Sequence, residues 1–401
     1  MISSGFRFPL VSRALFGGLV LSAGALLAGC GRPATATLPA DYLLYIGSNV
    51  GGAQDSSIFL YRVNASTGAF TKLGGQLGGA SPTYLTLTPN HRFLYAVSET
   101  QTFRGAPGGS VSSFAIDPHS GALKPLGQQP SGGASPCYIS LDNIGKTALV
   151  ANYMGGNVSI LPVAADGQLG PPTTYQQTGR GPHKNQDASH AHCLLPGPAN
   201  NFAQFAFAVN LGTDQVVGYR HNVTGGLLVR LPEPAFVAKP GAGPRHLTFH
   251  PNGKTAYLIN ELNSTLTTLA YDAAAGHFRE LQTVSTLPAS YTGGNSCADV
   301  HVAPNGLFLY ASNRGHNSIA VFAIDSSNGT LVPIQDVDTQ GKTPRNFALD
   351  PSGRLLLVAN QNSNNLVSYR VDAFSGLLTP TGQQAAVPAP MFVGVVEDFR
   401  K

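Results

Sequence analysis

A unit of about fifty residues returns along nearly the whole chain, and no other feature of the sequence limits its fold as strongly. Each unit opens on a short marker such as Ser135-Pro136-Cys137-Tyr138-Ile139, Gly243-Pro244-Arg245-His246-Leu247 or Thr343-Pro344-Arg345-Asn346-Phe347. The second marker residues are Pro82, Pro136, Ala191, Pro244, Cys297, Pro344 and Pro390, separated by 54, 55, 53, 53, 47 and 46 residues. In the first six units a turn such as Pro304-Asn305-Gly306 follows, then an apolar run that ends in a small or polar pair. Those pairs are Ser98-Glu99, Asn152-Tyr153, Asn210-Leu211, Asn260-Glu261, Asn313-Arg314 and Asn360-Gln361. Marker and pair stand 16 residues apart in every unit but one, and 19 apart where Pro196 to Ala203 intervene.

Beyond the pair come an alternating run (Ser318 to Phe322, Asn365 to Tyr369), an Asp-x-x-x-Gly-x-Leu turn (Asp325 to Leu331, Asp372 to Leu378) and a last short run. Period-two alternation bounded by Gly, Pro and Asn is a strand signature, and four antiparallel strands per unit make the blade of a β-propeller. The expected fold is therefore all-β: a seven-bladed β-propeller of four-stranded blades over residues 41–398. Composition agrees, because 47 Gly and 29 Pro supply turns, while 42% apolar and only 11% charged residues argue against a helical solenoid or a charged disordered chain. Tyr42 to Leu77 holds three strands without an inner one, and Met391 to Val396 is an inner strand without the other three. Their union closes the ring and removes an edge that invites aggregation.

Residues 1–30 read as a lipoprotein-type export signal. Arg7 and Arg13 give the positive start, Ala14 to Leu27 the short apolar run, and Leu27-Ala28-Gly29-Cys30 resembles a lipobox that leaves Cys30 lipidated. Residues 31–40 are a Pro/Thr/Ala linker. The expected protein is thus exported to the bacterial envelope or periplasm, a monomer held to the membrane through Cys30 alone. Losing Arg7 and Arg13 takes the formal charge from +4 to +2. The remaining Lys and Arg are scattered, which argues against a nucleic-acid partner. Cys137, Cys193 and Cys297 then remain, an odd set with no disulfide expected.

In a propeller the inner strands line the central channel, so one repeat position can be followed around the ring. The residue after the marker gives Thr83, Cys137, His192, Arg245, Ala298, Arg345 and Met391. The next gives Tyr84, Tyr138, Cys193, His246, Asp299, Asn346 and Phe392, and the second member of each pair gives Glu99, Tyr153, Leu211, Glu261, Arg314 and Gln361. A charge-poor chain has gathered Glu99, Arg245, Glu261, Asp299, Arg314 and Arg345 at these positions, which argues for a polar pocket. Arg245 and Arg345 read either as forks for a carboxylate or phosphate or as structural partners of Glu261 and Asp299. His192 reads as a general base or as an inter-blade hydrogen-bonding group. His190 and His192 alternate on a strand, yet no acidic or histidine triplet completes a metal site. Glu261 reads as a carboxylate acid or base, and His316, Gln361, His246, Asp299, Asn346 and Tyr153 as substrate contacts.

The stretches Gly243 to Leu262 (GPRHLTFHPNGKTAYLINEL), Tyr310 to Phe322 (YASNRGHNSIAVF) and Thr343 to Arg354 (TPRNFALDPSGR), with Val358 to Asn362 (VANQN), resemble the propeller lactonase family. That family includes propeller-type 6-phosphogluconolactonases and fungal carboxymuconate cyclases, and the likeness runs from about residue 42 to 396. The resemblance implies a metal-free, cofactor-free hydrolase that opens a sugar-derived or carboxylated lactone, with His192, Arg245, Glu261 and Arg314 catalytic and Arg345 and Gln361 nearby. Two departures stand out: Ser189-His190-Ala191-His192-Cys193 lacks the usual proline before its histidines, and Leu195 to Phe205 is lengthened. The alternatives are a non-catalytic envelope-binding or scaffold propeller and a muconate-type lactone-forming cycloisomerase.

Overall fold

The computed structural model describes residues 41–50, 56–199, 204–222 and 226–398; the signal segment, Cys30 and the linker lie outside them. Each repeat unit folds into one antiparallel sheet. In one blade Pro244–Phe249 pairs with Thr255–Asn260, then Thr265–Asp272, then His277–Ser285. The order recurs around the ring, from Pro136–Leu141 out to Thr173–Gln176 and from Pro344–Leu349 out to Leu378–Ala386. The blade that begins at Ala191–Pro196 divides its outer edge, since both Leu227–Arg230 and Phe236–Val237 pair with Gln215–Asn222. A hairpin of Thr102–Phe103 with Ala106–Pro107 stands outside the seven sheets.

Burial explains the patterning within a blade. The second strands, such as Thr147–Asn152 and Leu355–Asn360, are covered on both faces by the neighbouring blades, are buried throughout and are apolar up to their closing asparagines, apart from Thr147. The fourth strands, such as Leu378–Ala386, meet water along most of their length. Seven apolar clusters fill the gaps between neighbouring blades, one per gap, including the gap between Tyr42, Leu44 and Ile46 of the first blade and Leu355, Leu357 and Ala359 of the last.

Closure follows the expected route. Pro390–Glu397 pairs antiparallel with Tyr42–Ser48, with Leu44 opposite Val395 and Ile46 opposite Val393. Arg62 and Asp398 add an ion pair at 3.1 Å. Blades are also tied by a repeated hydrogen bond from a buried tyrosine to a glycine carbonyl in the next blade: Tyr45 to Gly121, Tyr257 to Gly329 and Tyr310 to Gly376, at 2.8, 3.0 and 2.9 Å. Gly376 shows why that turn needs glycine. Its φ is +72°, and a Cβ there would lie 2.3 Å from the Phe308 ring.

Two local features position the channel mouth. The inner strands carry a register shift at the marker: Pro244 pairs with Asn260 and His246 with Ile259, so Arg245 is the extra residue. Cys137, His192, Arg345 and Met391 are extra in the same way, and in a sixth blade Ala298 with Asp299 stand against one partner residue; Leu85–Leu87 pairs without a shift. A bulge re-aims the side chain it inserts, so two consecutive residues of an inner strand both face the channel. The strand-ending asparagines then pin the incoming loops: Asn152, Asn313 and Asn360 donate to the carbonyls of Ser131, Thr286 and Thr339 at 3.3, 2.9 and 2.8 Å. The residues after them, Tyr153, Arg314 and Gln361, are thereby held at the rim.

Candidate active site

Arg245, Glu261 and Arg314 come together at the mouth. Arg245 Nε lies 3.0 Å and Arg314 Nη2 2.9 Å from the same oxygen, Oε2 of Glu261. The link has a simple origin, because Arg245 and Glu261 flank the paired residues Pro244 and Asn260 of one hairpin, and Arg314 stands at the position of Glu261 in the next blade. Arg314 Nη2 also donates to the Cys297 carbonyl at 2.8 Å, and Arg245 Nη1 donates to the Ala298 carbonyl. Both Nε atoms are buried; that of Arg245 is occupied by its 3.0 Å ion pair with Glu261, and that of Arg314 has no hydrogen-bond partner within the protein. Buried donors are normally satisfied, so this wall of the mouth holds one donor to spare.

The electrostatics fit that geometry. Burial, then Arg314 and Arg345, pull the Arg245 guanidinium down to about 10, where it is still charged at neutral pH. Burial opposes ionisation of Glu261, but Arg314, Arg245 and Arg345 outweigh it and hold the carboxyl below its usual range. A carboxylate so held is a weak proton acceptor and a firm anchor for guanidinium groups. Arg345 has a looser partner, with Nη2 3.9 Å from Glu99 Oε2. Burial, with Glu261 adding to it, pushes the Tyr153 phenol up to about 12, which keeps its hydroxyl a donor.

The two histidines of the His190-Ala191-His192 segment part company at the bulge. His190 stacks on Tyr153 at 4.6 Å between ring centres and bonds to Asp187 and to the Tyr153 carbonyl, at 3.0 and 3.1 Å. His192 lies between the rings of Tyr153 and His246, 5.3 and 5.4 Å away, with Nδ1 3.7 Å from Cys137 Sγ. Burial, then Arg245, His246 and Arg345, hold it well below the ordinary imidazole range, so it is neutral. The hairpin of Ala191–Pro196 with Phe205–Asn210 ends with Pro196 opposite Ala206, away from His192, and residues 200–203 of the lengthened segment lie outside the described residues.

His246, Asp299 and Asn346 form a layer beneath the mouth, and every charge in it is met. His246 Nδ1 donates to Asp299 Oδ1 at 2.8 Å, His301 Nε2 donates to Oδ2 at 2.9 Å, and Asn346 Nδ2 donates to the same Oδ2. With Nδ1 carrying the proton, Nε2 of His246 is left to accept from Arg245 Nη1 at 3.1 Å. Tyr84, Tyr138 and Phe392 complete this layer; Tyr84 lies 4.3 Å from Tyr138 and 4.5 Å from Phe392 between ring centres. Below it opens a cavity of about 360 Å³ that includes Tyr84, Tyr138, His301 and Phe392 in its lining. His316 sits on its loop with Nδ1 2.7 Å from Ser318 Oγ and its ring 4.6 Å from that of Tyr291. Gln361 opens a short 3-10 turn, its backbone N–H bonded to Thr343.

His301 stands two residues beyond the ring position of Asp299, outside the positions that the repeat aligns, and nothing local in the sequence signals its bond to Asp299. Cys137, Cys193 and Cys297 are free and buried. Burial raises all three thiols, Cys193 to about 12 and Cys297 to about 11, which excludes a ready thiolate nucleophile.

Comparison with known proteins agrees with this architecture. The chain matches a family model described as "Lactonase, 7-bladed beta-propeller" over residues 43–395. It is 36% identical over 312 residues to the 6-phosphogluconolactonase of Bacillus subtilis, spanning 77% of this chain and 85% of that protein. Against the 6-phosphogluconolactonase of Formosa agariphila it is 36% identical over 315 residues, 77% and 86% of the two chains. Among solved structures, the periplasmic gluconolactonase of Pseudomonas aeruginosa superposes with a TM-score of 0.82 at 32% identity, covering 89% of this chain and 99% of that one.

Proposed function

Because the chain belongs to the lactonase family of seven-bladed β-propellers and is a lactone-hydrolysing enzyme, we propose that it opens a sugar-derived or carboxylated lactone at the channel mouth between Arg245, Arg314 and Arg345. The observation that carries this reading is the pair of guanidiniums gathered on one oxygen of Glu261 at the mouth, with the Arg314 Nε–H unpaired beside it. A lactone carbonyl oxygen accepting from them would gain most as it becomes an oxyanion, because donors fixed in advance stabilise developing charge without reorganising. Glu261 holds both guanidiniums in place, and His246 backs Arg245 from below. At the rim three guanidiniums face the carboxylates of Glu261 and Glu99, and the positive surplus suits a substrate bearing a carboxylate, a phosphate or many hydroxyl oxygens. His192, Tyr153, His316 and Gln361 supply further polar groups for such a ligand.

Location and substrate are linked. The signal-like residues 1–30 with Cys30 support export and a lipid anchor, and the periplasmic setting of the Pseudomonas aeruginosa gluconolactonase supports an envelope role. The relatives from Bacillus subtilis and Formosa agariphila support a phosphorylated sugar lactone instead. Hydrolysis of gluconolactone, 6-phosphogluconolactone and a carboxylated muconolactone by the purified chain, beside Arg245→Ala, separates these. The expected result is enzymatic opening of at least one of them, lowered in Arg245→Ala by about a hundredfold or more, as for loss of one oxyanion donor. An Arg245→Ala chain with wild-type turnover and affinity would overturn the assignment.

A further inference from the structure

The geometry points to Glu99 as the general base that activates the attacking water, an inference that rests on the lactonase reading above. Glu99 stands in its blade where Glu261 stands three blades further on, so the two carboxylates face the channel from opposite sides of the ring. Their surroundings differ. Oε2 of Glu261 is shared by two guanidinium groups at 3.0 and 2.9 Å, whereas Oε2 of Glu99 is buried with no hydrogen-bond partner within the protein. Its nearest cation, Arg345 Nη2, is 3.9 Å away, beyond hydrogen-bonding reach. The side chain is 24% exposed, so it borders the open mouth. Glu99 is also close enough to the Cys137 thiol on the channel wall to raise it, while Arg245 and Arg345 act on the same thiol in the opposite sense.

The mouth thus has guanidiniums with a donor to spare on one wall and a carboxylate oxygen without a donor on the other. A lactone whose carbonyl oxygen rests on the Arg245 and Arg314 side leaves a face of its carbonyl carbon toward Glu99. A water at the exposed side of the Glu99 carboxylate donates one proton to it while its oxygen bonds to the carbonyl carbon, and the π electrons pass to the oxyanion beside the guanidiniums. Collapse of that adduct breaks the ring C–O bond, and the departing ring oxygen takes the proton back from Glu99. Lactone and water give a hydroxy acid, and the enzyme returns to its starting state. Glu261 is spent on its two arginines, and His192 turns Nδ1 toward Cys137.

The test is hydrolysis of gluconolactone and 6-phosphogluconolactone by the full chain, by Glu99→Gln and by Glu99→Ala, with and without added formate. The expected result for Glu99→Gln is a turnover loss of about a hundredfold or more at a KM near that of the parent. Formate should restore part of the turnover of Glu99→Ala. A Glu99→Gln enzyme that keeps wild-type turnover, or that loses affinity in place of turnover, overturns the assignment. So does a Glu99→Gln chain that no longer folds, which would make the carboxylate a structural partner of Arg345. A parent chain that opens neither lactone overturns the lactonase reading and this inference with it; an active parent with an indifferent variant overturns this inference alone.

Discussion

Two layers of the channel, one residue apart along every inner strand, have opposite characters. The upper layer holds Cys137, His192, Arg245 and Arg345 with the rim groups Glu99, Glu261 and Arg314; its charges crowd, share partners and leave N–H and carboxylate positions unfilled. The lower layer holds Tyr84, Tyr138, His246, Asp299, Asn346 and Phe392, where rings pack on rings and Asp299 accepts from three side chains. A bulge in six of the seven inner strands supplies both layers, so a single backbone device gives a reactive surface and the stiff floor beneath it. Groups without hydrogen-bond partners thus lie directly above a layer whose carboxylate is fully met.

The severest way to break this pairing of layers is to remove the strand that closes the ring. Deleting residues 390–401 takes away Phe392 from the floor together with buried Met391, Val393 and Val396. Each of those three is worth roughly 1.5–3 kcal/mol of burial, against a typical total stability of about 5–15 kcal/mol. The truncated chain should show no cooperative melt by circular dichroism; a melt at the parent temperature would refute the closure. Next in size is Glu261→Gln, which frees both guanidiniums. It should cut kcat/KM by about a hundredfold, the scale of losing fixed transition-state electrostatics, while the chain stays folded. Activity indifferent to it would show that the upper layer does not depend on that anchor.

The floor is tested by Asp299→Ala, which leaves His246, His301 and Asn346 without their shared acceptor. Breaking a buried pair from one side costs about 3–5 kcal/mol, and the melting temperature should fall accordingly. Activity per folded molecule should fall less than in Glu261→Gln, because Arg245 keeps its ion pair and loses only the His246 backing. If stability is untouched and turnover collapses, Asp299 belongs to the reactive layer and the division drawn above is wrong.

How much of this was legible in the sequence follows from where the information lies. The blades, their number and the closing strand are written in a period, and the Arg245–Glu261 link follows from one hairpin register. The rings at Arg245 and His246 were legible as positions, but strict alternation would send neighbours to opposite faces. Only the bulge, which inserts a residue without any local sequence mark, turns both inward and separates His192 from His190. The division of labour between Glu99 and Glu261 was out of reach, since equal repeat positions differ by how closely arginines of other blades approach. Asp299 looked like a ligand contact because a lone carboxylate on an inner strand does not announce that His301 and Asn346 will claim it.

The gentlest test is acid, which loads one imidazole from each layer. His246 is held down to about 4 by burial and Arg245, and His192 is held well below 6.5 by burial and the arginines. For a lowered imidazole the unfolded chain takes up a proton that the folded chain refuses, so stability falls as pH drops below 6.5. His301 works the other way: Asp299 raises it, and its contribution is full below 6.5 and fades as pH rises through its folded value. The lowered carboxyls of Asp299 and Glu261 keep their contributions until pH nears the ordinary carboxylate range, so they are constant here. Three lowered imidazoles, the third being His221, which burial holds down, outweigh the one raised, whose contribution no longer grows below 6.5, so stability falls between neutrality and about pH 5. The melting temperature should therefore drop by several degrees over that interval, and Tm measured in a buffer series checks it. A flat or rising profile would mean that His192 and His246 are not buried as neutral rings, and that the floor is wetter than its packing requires.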